Sequence, residues 1–380
     1  MNKKLIIIIS VILGISALAA GVYFAWSKSK EILNPPSISE QQSINSNQLP
    51  EQTLVAAKLK IISDQPIFNY WIMSQTATST VGTSTVSSVS YQTFYFNQNG
   101  QILKIKDGED EIIVAESIDG LQSIKPNVTG KLVLVKYGSF LSPQFSIFNA
   151  ENKMWQPINN AVAAAFSPDG AKLTYFDKSN NLMIKDLIKI KAKETKIISL
   201  NQRDFNLNWL TTEKILLEPK PSYKVDDKIW AIDIKTKTIS SFISGKGLMV
   251  KWSNDGKLGL ISMIARDNNI RLNLIDNKNV TKGGIDFYTS VNKCWLNSQK
   301  IYCALPQEHN LMKSPNLPDE YLKGGVYYKD YILSIDIAQN TFNYVLNSND
   351  LAIDAINLSV SDNKLLFINR YDNKLYQLEL

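Results

Sequence analysis

The chain has 380 residues, 44% of them hydrophobic and 20% charged, an ordinary globular composition that excludes a wholly disordered chain and supplies a large core. Its net charge of +6 arises from 41 Lys+Arg against 35 Asp+Glu, and almost all of the basic residues are lysines. No basic run is interleaved with aromatics, so the charge reads as a solvated lysine-rich surface and nucleic acid is not an expected partner.

Residues 1–4 form a short tail, and Leu5 to Trp26 is an uncharged run bounded by Lys3, Lys4, Lys28 and Lys30. Its length suits a bilayer core, and Tyr23, Phe24 and Trp26 fall where an interfacial aromatic belt would sit. The expectation is a retained transmembrane helix or signal anchor over 5–26. The competing reading is a cleaved signal peptide, because Ala17-Leu18-Ala19 fits an A-x-A site. Flanking charge is nearly balanced, and the default orientation puts the short N-terminus inside and the large domain outside. Residues 27–53, with Pro35-Pro36 and many Ser, Gln and Asn, read as a flexible linker.

From residue 54 to 380 the chain reads as short strands. Leu54 to Ile62 is strand-like without a nearby hairpin partner. A first group follows over Pro66 to Met73, Tyr91 to Phe96, Gln101 to Lys106 and Glu111 to Glu116, with Asn99-Gly100 as a hairpin turn. The Ser/Thr-rich tract Ser74 to Ser90 reads as a loop. A second group, Ile118 to about Asn160, carries Asn127-Val128-Thr129-Gly130 at its turn. Bulky anchors then recur at Phe166, Trp209, Trp252 and Trp295, 43 residues apart each time. A fixed period in the forties marks a repeat array.

Within one period the run Ala163 to Phe166 enters Ser167-Pro168-Asp169-Gly170. The strands Leu173 to Phe176, Leu182 to Leu187 and Lys196 to Leu200 follow. Proline presets φ and glycine supplies the positive-φ position of such a turn. Four strands in about 43 residues make one propeller blade. The last group, from Leu358 to Asn363 onward, ends one strand short. The run from Leu54 fills the gap, closes the ring and removes the free edges. The expected fold is an all-β, seven-bladed β-propeller with four-stranded blades. The repeated Trp and Phe are expected to pack between blades rather than to stack a ligand.

The unit resembles the TolB-type propeller repeat on Phe166 to Gly170 with Lys172, Trp252 to Lys257, Ile184 to Leu187, Ile229 to Ile234, and Leu333 to Ile337. The Gly-His and Trp-Asp marks of the WD-type repeat are absent. The resemblance implies the propeller fold over roughly 54–380 and protein binding across a propeller face in an envelope assembly.

Cys294 and Cys303 face each other if Asn297 to Lys300 is a four-residue hairpin loop, and a loop one residue shorter makes them diagonal neighbours. A disulfide and two buried thiols both remain open, the former agreeing with an extracytoplasmic domain. His309 is the only histidine, and no nucleophile elbow or metal-ligand spacing accompanies it. No catalytic residue, metal or cofactor is expected. Pro306 to Lys323 reads as an insertion in blade six that shares a face with the corresponding loops of blades four and five. The candidate binding face therefore comprises Tyr223, Lys224, Asp226, Asp227, Arg266, Asp267, Glu308 and His309.

The functional expectation is a membrane-anchored, extracytoplasmic interaction or scaffold module of the cell envelope, non-enzymatic by preference. The alternatives are a carboxylate-based carbohydrate hydrolase or lyase and a structural subunit of a secretion or pilus machine.

Overall fold

The computed structural model describes residues 59–380 apart from 82–83, 107, 190–192, 203, 286, 309–315 and 348–350. The tail, the apolar segment 5–26, the linker 27–53 and His309 lie outside the described residues. Among the described residues no helix is long and apolar enough to cross a membrane.

Blade three shows how the local sequence builds the repeat. Its strands Ala161–Phe166, Lys172–Asp177, Asn181–Asp186 and Thr195–Ser199 pair in sequence order as one antiparallel sheet. The turn after the innermost strand is closed by its own side chains. Ser167 Oγ donates to Asp169 Oδ1 at 2.5 Å, and the Lys172 and Ala171 amides donate to Ser167 Oγ and Asp169 Oδ1 at 2.8 and 3.0 Å. Ser253 and Asp255 repeat the arrangement in blade five. Blade two reaches the same turn without the motif, because the Asn127 carboxamide oxygen accepts the Leu132 amide at 3.2 Å in place of a serine hydroxyl.

The glycine of this turn is required twice over. Gly256 has φ +64°, and a Cβ there would lie 2.5 Å from the Leu210 carbonyl oxygen of the preceding blade. Gly130 has φ +71°, with its Cβ position 2.1 Å from the Ile72 carbonyl oxygen. Each turn thus abuts the backbone of the preceding blade, where only a residue without a side chain fits. The aspartates closing the third strands have an equally local task. Asp186, Asp233, Asp276 and Asp336 accept amide hydrogens from the turns that follow them.

Seven four-stranded sheets result. Blade one spans 67–114, blade two 123–157, blade three 161–199, blade four 206–246, blade five 249–285 and blade six 294–347. Blade seven combines Ala355–Ser361, Lys364–Asn369 and Lys374–Glu379 with Leu59–Ile61, which pairs as Leu59 with Leu378 and Ile61 with Tyr376. Both ends of the described chain therefore share one sheet.

Ring closure follows from the packing. Each of seven apolar clusters joins two neighbouring blades, from Trp71, Phe96 and Phe148 between blades one and two to Tyr95, Leu103, Leu366 and Leu375 between seven and one. The repeat aromatics belong to these layers. Phe166 packs against the interface of blades two and three, Trp209 into that of three and four, Trp252 against four and five, and Trp295 against six and seven.

One expectation fails. Ser74 to Ser90 is not a loop: Ile67–Val81 and Ser84–Asn97 form one long hairpin, paired from Ile67 with Asn97 to Val81 with Ser84. The abundance of Ser and Thr suggested a loop, whereas Thr at every second position from Thr76 to Thr80, followed by Val81, Val86 and Val89, is β-branched composition that favours an extended, paired backbone.

Candidate binding face

In every blade the innermost strand begins, and the second and third strands are joined, on the same face of the ring. The blade-six connection lies there and carries the one-turn helix Asp319–Leu322. It is no loose decoration. Leu317, Tyr321 and Tyr328 are buried with Ile270 of blade five, and Tyr288, Val326 and Ile356 pack around them.

Beneath this connection lies a dry charged cluster. Lys293, in the short turn that leads into the innermost strand of blade six, has no exposed side-chain surface. Its Nζ donates to Asp330 Oδ2 at 2.6 Å, to Asp354 Oδ1 and to the Tyr321 hydroxyl at 3.1 Å. Asp354, just ahead of the innermost strand of blade seven, also accepts from Tyr321 Oη at 2.7 Å, the Tyr328 amide at 3.2 Å and Arg370 Nη1 at 2.9 Å. The Ala355 amide donates to Asp330 Oδ2 at 2.8 Å.

Burial alone would lower the Lys293 pKa, but Asp330, Tyr321 and Asp354 outweigh it and raise the pKa, keeping the ammonium charged. Burial pushes the Asp330 carboxyl up to about 6 against the opposing pull of Lys293. The Arg370 guanidinium lies 4.1 Å from the Tyr321 ring centroid and 4.5 Å from that of Tyr327, and Tyr327 packs on Tyr371. The cluster pins the insertion to blades six and seven while leaving Tyr327 and Tyr371 46% and 48% exposed.

The two carboxylates do not form a glycosidase pair. Both side chains are sealed from solvent and share one ammonium, so neither can reach a glycosidic oxygen or a water.

The residues singled out from sequence divide into two groups. The blade-four loop meets the insertion, where the Ser222 hydroxyl and the Tyr223 amide each donate to Asp319 Oδ2 at 3.4 Å. Asp227 Oδ2 accepts the Ser222 amide at 3.2 Å, and burial, reinforced by Asp319 and Asp226, raises its pKa. Lys224 lies over the Tyr223 ring at 5.6 Å. The second group is more peripheral. Asp226, Arg266 and Glu308 are exposed, and Asp267 forms an exposed pair with Arg271 at 2.7 Å, while Arg271 covers Tyr288 at 5.4 Å.

Sequence reasoning missed Tyr327, Tyr371 and the blade-two loop on this face. That loop holds Phe140 and Leu141, 86% and 98% exposed, and the available signal was an adjacent apolar pair at a tight connection inside a polar tract. The disulfide joins Cys294 to Cys303, which are directly opposed in register between the first two strands of blade six.

No protein-family model and no curated protein matches the sequence. Among solved structures, the chain is similar to the tricorn protease, with a TM-score of 0.46 and 12% identity over 81% of this chain and 34% of that one. It thus spans about a third of that protein's length. A second similar structure is the β-propeller domain of Cps50 (Swd1) from Myceliophteria thermophila, with a TM-score of 0.46 and 10% identity over 76% of this chain and 93% of that one. At these identities the likeness concerns the fold alone, and the count of seven blades rests on the strand pairing itself.

Proposed function

We propose that this protein is a membrane-anchored, extracytoplasmic scaffold of the cell envelope, built on a TolB-type repeat, that holds a protein partner on the face carrying the blade-six insertion. The observation that carries the reading is the exposed apolar and aromatic set on that face. Phe140 and Leu141 project almost fully into solvent, while Tyr327 is held against the Arg370 guanidinium. Phe140 and Leu141 form a contiguous, almost fully exposed apolar pair, the arrangement in which exposed apolar surface marks an interaction site, and Tyr and Arg are residues that anchor protein interfaces. The apolar segment 5–26 supports the anchor, and the Cys294–Cys303 disulfide supports an oxidising compartment.

The partner reading is tested in the native cell by placing a photo-crosslinking amino acid at Leu141, at Tyr327 and, on the opposite face, at Ile188. Adducts of one size at the first two positions and none at Ile188 are expected. Absence of adducts at both Leu141 and Tyr327 refutes the partner face. Location is tested by alkylating Cys294 and Cys303 in denaturant, with and without reductant, on protein from native membranes. Blocked thiols are expected, and free labelling overturns the extracytoplasmic assignment.

A further inference from the structure

The mouth of the ring between blades two, three and four contains a small cavity that the partner face does not explain. Its shape follows from side-chain size. The innermost strand of blade three offers only Val162, Ala163 and Ala164, which leave a gap of about 40 Å³ beside Ser123, Lys125, Leu134, Lys136 and Phe145 of blade two. Phe205, Asn206 and Leu207 of blade four close the third side. A space of that size accepts one compact polar group.

The lining is cationic. Ser123 pairs with Lys136, and Lys125 with Leu134, across the first two strands of blade two. This register brings both lysines to the sheet side that meets blade three. Among the described residues, Lys125 Nζ donates to the Leu207 carbonyl oxygen alone, at 3.3 Å. Lys136 has no carboxylate within ion-pair distance among the described residues, and its ammonium lies 5.9 Å from the Phe145 ring centroid.

Two acids are near. Asp204 is engaged by Lys220 at 3.0 Å. Glu218 accepts from Asn208 Nδ2 at 3.0 Å, and burial raises its pKa, towards the neutral form, against the pull of Lys125. Burial, and then the charge of Lys220, lower the Lys136 pKa, with Asp204 opposing and Lys125 adding to the shift. Lys125 is exposed by area and Lys136 half-buried, but both line the cavity and neither has an ion pair among the described residues, so an anion placed there would meet unneutralised positive charge.

We propose that this cavity is a binding site for the anionic head of a small solute, a carboxylate or phosphate group gripped by Lys125 and Lys136. Ser123 and Asn206 supply neutral hydrogen bonds, and Phe145 and Phe205 form apolar walls for the rest of the molecule. The site is separate from the proposed partner face contacts and stands or falls without them.

The test uses the full chain with inorganic phosphate and malonate as probes. Limited lysine acetylation, read by peptide mass, compares each probe with chloride at matched ionic strength. Selective protection of Lys125 and Lys136, with the exposed Lys237 unchanged, is expected. In calorimetric titration K136Q lowers affinity for the protecting probe about tenfold or more, the loss expected for one charge-assisted hydrogen bond, while K136R retains binding. Equal protection of all three lysines, or an affinity unchanged by K136Q, overturns the proposal.

Discussion

Replacing Lys293 by methionine is the sharpest test of how the blade-six insertion is held. The substitution keeps much of the side-chain volume and removes the ammonium, leaving Asp330 and Asp354 sealed from solvent. Asp354 retains Arg370 Nη1, Tyr321 Oη and the Tyr328 amide. Among the described residues, Asp330 retains the Ala355 amide alone on Oδ2, and its Oδ1 has no hydrogen-bond partner. Breaking a buried pair from one side costs about 3–5 kcal/mol, and Asp330 bears most of it.

The loss depends on pH with a definite sign. Burial already raises the Asp330 pKa to about 6, and without Lys293 it rises further. A carboxyl raised in the folded state binds its proton more tightly there than when unfolded, so its favourable contribution is present at low pH and disappears as pH rises through the folded pKa. K293M is therefore least destabilising near pH 5 and most destabilising at pH 8, whereas the double variant K293M/D330L loses little at either. The assay is urea unfolding at both pH values, with hydrogen exchange over residues 316–330 to localise the effect. A loss below about 1 kcal/mol at pH 8, the scale of an exposed ion pair, would refute a dry lock.

Two further predictions concern the innermost strands and their turns. G256A combines a left-handed residue with a Cβ driven against the Leu210 carbonyl oxygen. About 1–2 kcal/mol for the conformation and about 1–3 kcal/mol for overpacking are expected. Gly108 has φ +88° and open space around it, so G108A shows the conformational cost alone, and equal denaturation midpoints for the two variants would remove the steric argument. Lys251 is partly exposed by area, but its ammonium end is deep, donates to the Cys294 carbonyl oxygen at 2.6 Å, and is lowered by burial to about 8. A lysine depressed in the folded state is penalised below that pKa, so stability should rise between pH 8 and 10 by about 1–3 kcal/mol. K251M should flatten that rise, and an identical pH profile in the variant would count against burial as the cause.

The sequence by itself determined the repeat, the number of blades and the sharing of the last blade between two distant chain segments, and it narrowed Cys294 and Cys303 to opposed or diagonal positions, between which the strand pairing decided. These are local or periodic matters, fixed by strand patterning, by the Ser-Pro-Asp-Gly turn and by counting along a hairpin. The blade-two turn Asn127-Val128-Thr129-Gly130 keeps only the glycine of the motif, with an asparagine oxygen replacing the serine hydroxyl, and the hairpin over 74–90 was hidden by Ser/Thr-rich composition.

Tertiary structure alone decided the rest. Lys293, Asp330, Asp354 and Arg370 carry no motif, since each begins or immediately flanks an ordinary strand, and only the packing of blades six and seven beneath the insertion turns four separate charges into one dry cluster. The cavity beside Lys136 has the same origin. It depends on small residues of blade three lying opposite lysines of blade two, and on blade four closing the side, a coincidence of three sheets that no spacing within one segment records. Local hydrogen bonding writes itself into adjacent residues, whereas the electrostatics of an interior depend on which distant groups ring closure removes from water together.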